Sequence, residues 1–371
     1  MHFENMLVDN DLYLDGCYIE VTSKCNLRCI HCYNNSGEEQ QVISLEAFKN
    51  VLGCYENPQN AVITISGGEP LMHPNIWTLI DMCCEHGIQP NNVLLITNAT
   101  NITPDIAEKL AKSNISVQIS INGSMPETHD PVCGKGSFKR TIDGLDNLIA
   151  MKSNYIVVRF MMNKYNLHDI IPFIKFVIAK GVTKVLLASV KPVGRASDCL
   201  DSLECSPDAL FKTIDELNNN EYINEVNNAW KKAYGENETR ISIPVPYSGV
   251  CPLVIKDEKP VPLTPRIDAK GDVYLCQSFF DEMYSFGNIN LESLEAIMSS
   301  NRFANLANFM ATGANYIRAC KMCALQYSCV RGCIGDCIAN GSIHETDGTC
   351  YYRKASFIQS LLNKPATTAI L

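Results

Sequence analysis

Three cysteines crowd the stretch CNLRCIHCY: Cys25, Cys29 and Cys32. A structural zinc site wants four tetrahedral ligands, usually drawn from two pairs with two-residue gaps. Three thiolates at a three-then-two spacing suit a cubane iron–sulfur cluster whose fourth iron stays open. Three buried core cysteines, or a zinc site completed by His31, are the competing readings of the spacing. With 18 cysteines in 371 residues, chance yields C-x3-C-x2-C roughly 0.04 times. An open iron can bind a chelating ligand and pass it one electron, so one-electron reductive chemistry is the expectation.

A second field of cysteines lies near the other end. CKMCALQYSCVRGCIGDC supplies Cys320, Cys323, Cys329 and Cys333, followed by Cys337 and later Cys350. Upstream stand Cys251 and the G-x4-C pair Gly271 and Cys276. A zinc ribbon is the competing reading for Cys320 and Cys323 alone. Cys17, Cys54, Cys83, Cys84, Cys199 and Cys205 read as small buried hydrophobes or inert thiols. In a chain of this size without an apolar signal core at its start, cysteines indicate metal or redox work rather than a disulfide framework, and a cytoplasmic setting. The net charge of −9 and the lack of any basic run argue against nucleic acid. The apolar stretches are too short to span a bilayer.

The elements that must hold the first cysteines alternate in type. CYIEVT, AVITISGGEP, VLLITNAT, ISVQISING, YIVVRFMMN and VTKVLLASVKPVG read as strands. Helical patterns such as SLEAFKNVLGCY, IWTLIDMCCEHG, TPDIAEKLAKSN and HDIIPFIKFVIAKG lie between them. Such alternation predicts right-handed βαβ units and a parallel sheet: an α/β fold, a partial (β/α)6 TIM-like barrel. The distinctive polar residues fall at the strand ends, where such sheets place their chemistry. The expected division is an extension over 1–16, the barrel over 17–200, a helical bridge over 201–245, and a cysteine-rich domain over 246–371. Within the last, RIDAKGDVYLCQS reads as a hairpin with a Lys-Gly-Asp turn.

The cysteine loop, with Tyr33 directly after it, and SGGEP after the second strand resemble the motifs of radical S-adenosylmethionine (SAM) enzymes. The resemblance implies a [4Fe–4S] cluster on Cys25, Cys29 and Cys32. Its open iron would bind SAM, which one electron cleaves to methionine and a 5′-deoxyadenosyl radical. It further implies SAM contacts by Gly67, Gly68 and Glu69, with the glycines admitting a close backbone approach and Glu69 accepting from the SAM ammonium. Thr97 and Asn98 at strand three, and Ser120 and Asn122 at strand four, fall on further family positions. Arg195 in KPVGRA matches a strand-six segment. The chain departs from the family pattern at HDPVCGKGSF, where Cys133 stands in place of the usual arginine. A thiol there either returns a hydrogen atom to a substrate radical or is a neutral replacement.

The later cysteines resemble the SPASM domain, which holds two auxiliary iron–sulfur clusters. That likeness implies an outer cluster on Cys320, Cys323, Cys329 and Cys350, and an inner one on Cys251, Cys276 and Cys333. Cys337 either completes the inner cluster or leaves it an open iron that could bind a substrate thiolate. SPASM enzymes mostly modify peptides, so the expected function is maturation of a ribosomally made peptide by a thioether or carbon–carbon crosslink, an oxidation or an epimerisation. An anaerobic sulfatase-maturase-like protein oxidase and a small-molecule dehydrogenase are the alternatives. The former carries an aspartate after the G-x4-C cysteine, where this chain has Gln277. Only 24 residues precede Cys25, which leads to the expectation of a separate leader-binding protein. The expected electron donor is a reductase, flavodoxin or ferredoxin.

Overall fold

The computed structural model describes residues 12–39, 41–55, 57–152, 155–244, 261–305, 317–325 and 333–339, together with 341, 345–346, 350 and 354. Cys251 and Cys329 lie outside the described residues. The chain forms two compact units. One comprises Tyr13–Pro244 and Leu263–Phe303; the other comprises Met1–Leu12, Val245–Pro262 and Ala304–Leu371.

The larger unit is built on a nine-stranded sheet. Its six central strands are β1 (Gly16–Thr22), β2 (Val62–Gly67), β3 (Val93–Thr97), β4 (Ser116–Ser120), β5 (Ile156–Met162) and β6 (Lys184–Ser189). Each pairs in parallel with the next, as the alternation in the sequence predicts. Three shorter strands extend this row. β7 (Ile241–Ser242) lies parallel to β6. At the other edge β8 (Arg266–Ile267) lies parallel to β1 and antiparallel to β9 (Val273–Tyr274). The hairpin expected at RIDAKGDVYL therefore forms, and it extends the barrel sheet instead of standing apart from it.

The connecting helices are α1 (Leu45–Leu52), α2 (Ile76–Glu85), α3 (Pro104–Ser113), α4 (Pro126–Cys133), α5 (Ser137–Ala150) and α6 (Ile170–Lys180). Local chemistry sets their ends. Ser44 and Thr103 accept N-terminal backbone N–H groups of α1 and α3, which removes orphan donors there. Asn114 and Gly181 close α3 and α6 in the left-handed region. In the 201–245 stretch, α7 (Pro207–Asn218) and α8 (Glu221–Tyr234) form as expected.

Side chains alternate along the strands. Cys17, Ile19 and Val21 of β1, Ile63 and Ile65 of β2, Val93 and Leu95 of β3, and Val158 and Phe160 of β5 are fully buried. Phe160 packs on Phe173 of α6, which marks this face as the one covered by helices. The opposite, inner face carries Tyr18, Glu20, Ser66, Gln118, Ser120 and Arg159. An apolar outer layer supplies the driving force for folding, and the polar inner face is left for chemistry.

Candidate active site at the mouth of the barrel

The cysteine loop leaves the end of β1 and is tied down from almost every following strand. At its base Cys25 N–H donates to Gly37 O (2.8 Å). From β2, Asn34 Nδ2 donates to Gly67 O (3.0 Å). Beyond β3, Asn98 Nδ2 donates to Asn26 Oδ1 (2.9 Å), and Asn26 Nδ2 donates to Thr100 Oγ1 (2.8 Å) and Asn101 Oδ1 (3.1 Å). From α4, Val132 O accepts from Ile30 N–H (2.9 Å). After β6, Arg195 N–H donates to Cys32 O (2.8 Å), and its guanidinium donates to Ser36 O (2.7 Å). The three thiols thus sit on a fixed loop across the C-terminal ends of the strands, where a parallel sheet concentrates its chemistry.

Cys25, Cys29 and Cys32 are half-buried and lie close enough to influence one another's ionisation. Burial pushes the Cys25 thiol up to about 12, so a thiolate there needs a cation beside it. Among the described residues no three Cys, His, Asp or Glu side chains converge on one ion-sized position. A cubane places each thiolate on a different iron, and three thiols on one loop suit it better than a zinc site that wants four ligands. His31 has a buried Nδ1 with no partner. Burial, with His129, Arg159 and Arg195 nearby, lowers its pKa to about 4, so the ring is neutral at pH 7.

The glycines of SGGEP make a close approach, but to the cysteine loop. Gly67 has φ +133°, and a Cβ on it would stand 2.3 Å from Thr22 O; one on Gly68 would stand 2.2 Å from Lys24 O. Only glycine lets the β2 end lie against this backbone. Gly194 repeats the device at φ +59°, with a Cβ position 2.2 Å from Tyr33 O. Its role and that of Arg195 in the structure are to clamp the loop.

Several polar residues singled out in the sequence are spent on joining strand ends. Glu69, expected to meet an ammonium group, is fully buried. Its carboxylate accepts from Thr97 Oγ1 (2.7 Å), Asn98 N–H (2.8 Å) and Leu71 N–H (3.2 Å). Burial raises its pKa to about 6 against these three donors. Asn122 is fully buried too. Its Oδ1 accepts from Met161 N–H (2.8 Å), its Nδ2 donates to Cys133 Sγ (3.2 Å), and its N–H donates to His129 Nδ1 (3.0 Å). It therefore fastens β4 to β5 and to α4. Ser120 remains half-buried on the inner face.

Cys133 ends α4, buried, with its carbonyl oxygen 3.9 Å from Cys29 Sγ. Nearby, Asp130 accepts from Gly136 N–H (2.6 Å) and Phe138 N–H (2.8 Å), which shapes the HDPVCGKGSF turn. Cys199, read in the sequence as inert, donates to Ile30 O (3.3 Å) in the cysteine loop.

On the far side of the loop, the Tyr33 hydroxyl meets that of Tyr18 (2.8 Å), which meets Ser66 Oγ (2.7 Å). The Tyr33 ring packs edge-on against Phe280 (centroids 5.3 Å), three residues beyond Gln277. Phe280 also lies under the guanidinium of Arg266 (4.9 Å). Arg266 donates twice to buried Glu20 (2.8 and 3.0 Å) and once to Phe279 O (2.8 Å). The sequence reading missed this pair. Buried acids and bases on strands with period-two alternation are its only trace, and the partners stand 246 residues apart.

In the smaller unit, Cys323 N–H donates to Cys320 O (3.0 Å), and Cys337 N–H donates to Cys333 O (3.1 Å). The short helix Ile334–Ala339 sets Cys333 and Cys337 one turn apart. Cys350 is half-buried.

A parallel α/β barrel with a three-thiol loop across its mouth defines a class of cluster-bearing enzyme. Residues 19–177 match the model of the radical SAM superfamily and residues 265–324 that of the iron–sulfur cluster-binding SPASM domain, so the chain carries a radical SAM domain and a SPASM domain. It is 32% identical to the mycofactocin maturase MftC of Mycolicibacterium smegmatis over 50% of this chain and 46% of that one. Against MftC of Mycobacterium tuberculosis (strain CDC 1551 / Oshkosh) the identity is 27% over 85% of this chain and 77% of that one. The fold matches native anSMEcpe with bound AdoMet and Cp18Cys peptide at a TM-score of 0.69 and 15% identity, over 95% of this chain and 97% of that one. It matches SuiB of Streptococcus suis bound to precursor peptide SuiA at a TM-score of 0.67 and 17% identity, over 90% and 75%.

Proposed function

We propose that this chain is a radical SAM peptide maturase. When bound, the [4Fe–4S] cluster and SAM supply one-electron cleavage to a 5′-deoxyadenosyl radical, which takes a hydrogen atom from a residue of a ribosomally made peptide. The observation that carries the reading is the cysteine loop pinned across a polar barrel mouth. Cys25, Cys29 and Cys32 hold the cluster. Gly67, Gly68, Gly194 and Arg195 fix the loop that bears it, and Glu69, Thr97, Asn98 and Asn122 fix the strand ends around the ligand. A peptide substrate is supported by relatives named as maturases and by a similar fold that binds a precursor peptide. Crosslinking, oxidation and epimerisation all begin with such an abstraction.

Two auxiliary clusters belong to the same proposal: an outer one on Cys320, Cys323, Cys329 and Cys350, and an inner one on Cys251, Cys276 and Cys333. With Cys333 directly before the helix Ile334–Ala339 and Cys337 one turn into it, Cys337 is a candidate fourth ligand of the inner cluster. A flavodoxin- or ferredoxin-type donor would supply the electron, and a separate protein would present the leader. No helix among the described residues is long and apolar enough to cross a membrane. The sulfatase-maturase reading is weaker, because Gln277 carries no carboxylate to take a proton.

The test is mass spectrometry of a precursor peptide encoded beside the gene and co-expressed with the enzyme. A mass change that depends on Cys25, Cys29 and Cys32 supports the proposal. An unaltered peptide alongside continued SAM cleavage would move the substrate to a small molecule.

A further inference from the structure

The three loop thiols do not face alike. Cys29 Sγ points to the carbonyl oxygen of Cys133 (3.9 Å), and Cys32 Sγ points to Asn34 Oδ1 (3.1 Å). Cys25 Sγ instead accepts from Leu27 N–H (3.4 Å) and from the side-chain amide of Asn98 (4.0 Å). The direction of that amide is fixed. Asn98 Oδ1 accepts from Thr100 N–H (2.9 Å) and Thr100 Oγ1 (2.6 Å), so a flipped amide would set its NH2 against a backbone N–H. Nδ2 is thereby held on the side of the cysteine loop. One of its hydrogens goes to Asn26 Oδ1 (2.9 Å), which leaves the other for the Cys25 sulfur. The backbone of Asn98 is held as well: its N–H donates to Glu69 Oε2 (2.8 Å), and its carbonyl accepts from Thr141 Oγ1 of α5 (3.0 Å).

A donor aimed at a ligand sulfur stabilises the state of a cluster that carries more negative charge, and such hydrogen bonds are among the levers on its reduction potential. We propose that Asn98 tunes the cluster on Cys25, Cys29 and Cys32. Its Nδ2–H, held on the Cys25 sulfur, raises the potential at which the cluster accepts one electron. The inference rests on the proposed function above, which names the source of that electron: a flavodoxin- or ferredoxin-type donor. The donor loses one electron, and the cluster with its thiolates gains one negative charge. No bond is made or broken, and Asn98 keeps both amide hydrogens. In a half-buried loop an oriented amide supplies the stabilisation that water gives an exposed thiolate. Asn98 is thus a positioning residue for the loop and a tuning residue for the electron it receives.

The test is a redox titration of the anaerobic, cluster-loaded protein without SAM, followed by EPR. The signal to follow is the one missing from the variant in which Cys25, Cys29 and Cys32 are all replaced by alanine. At a fixed potential Asn98→Ala should lower the ratio of reduced to oxidised cluster roughly three- to tenfold, a shift of about 30–60 mV for one electron. Asn98→Asp keeps the side chain's shape and an acceptor for Thr100 N–H, but turns a charged acceptor to the sulfur; it should lower the ratio further than Asn98→Ala does. Asn26→Ala cuts the same tie between loop and strand end from the other side and leaves the Asn98 donor in place, so the ratio should stay at the wild-type value. If Asn98→Ala titrates like wild type, if Asn98→Asp restores the wild-type potential, or if Asn26→Ala shifts it as far as Asn98→Ala, the amide does not set the potential and the inference fails. Should Asn98→Ala not hold the cluster, Asn98→Asp and Asn26→Ala decide between the same outcomes. If the triple cysteine variant loses no signal, the failure is that of the proposed function instead.

Discussion

Replacing Arg266 by methionine removes a buried charge whose partner cannot reach water. Glu20 and Arg266 are joined by two short hydrogen bonds, and their side chains are almost wholly buried. Breaking such a pair from one side typically costs 3–5 kcal/mol, because the remaining charge is left uncompensated. The larger unit contains about 270 residues, and unfolding entropy runs near 2.1 cal/mol/K per residue. Arg266→Met should therefore lower the melting temperature by roughly 5–9 °C. The double variant Glu20→Met/Arg266→Met removes both charges and should recover most of that loss, since a well-packed apolar pair is often neutral. The single variant also withdraws the cation from the Phe280 ring that packs on Tyr33, so the region after Cys276 should loosen. Anaerobic circular-dichroism melts of the two single variants and the double variant decide the matter. If the double variant is as unstable as the sum of the singles, the pair is not coupled and the reasoning is wrong.

Glu69 predicts a pH effect. Its folded pKa is raised to about 6 from an ordinary 4.5, so the folded protein binds this proton more tightly than the unfolded chain does. Its contribution is fully present below about pH 4.5 and is lost as pH rises through 6, amounting to about 2 kcal/mol; Glu69→Gln should flatten that part of the profile, and an unchanged slope would refute the assignment. Gly194→Ala forces a Cβ to within 2.2 Å of Tyr33 O and should cost about four irons per chain by displacing the cysteine loop; full iron content would refute the clamp. Cys133 is buried, with its sulfur taken by Asn122, so Cys133→Ala should lower stability by about 1–2 kcal/mol and leave the incorporation of solvent hydrogen into product unchanged. Loss of that label would make Cys133 a hydrogen donor.

Local pattern carried much of this architecture. The six parallel strands and their helices follow from period-two and period-3.6 spacing, and caps such as Thr103 and Asn114 are written beside the helices they end. The cysteine loop was legible because its spacing is itself chemical. What was not legible depends on partners distant in the chain. For Gly67 and Gly68 the sequence did not show a second duty: an added Cβ would meet Thr22 O and Lys24 O, because the β1 and β2 ends must touch. Asn122 and Glu69 read as SAM contacts, and the sequence did not show that each also satisfies buried donors of a neighbouring strand. β7 is too short to show any alternation, and β8 joins β1 through a contact between residues nearly 250 positions apart.

The most direct test is SAM cleavage by the reduced, anaerobically reconstituted protein, measured as 5′-deoxyadenosine alongside iron content. With three filled clusters the wild type should bind about twelve irons and release 5′-deoxyadenosine. Replacing Cys25, Cys29 and Cys32 together by alanine should abolish the nucleoside while about eight irons remain. Continued 5′-deoxyadenosine formation by that triple variant would contradict the account.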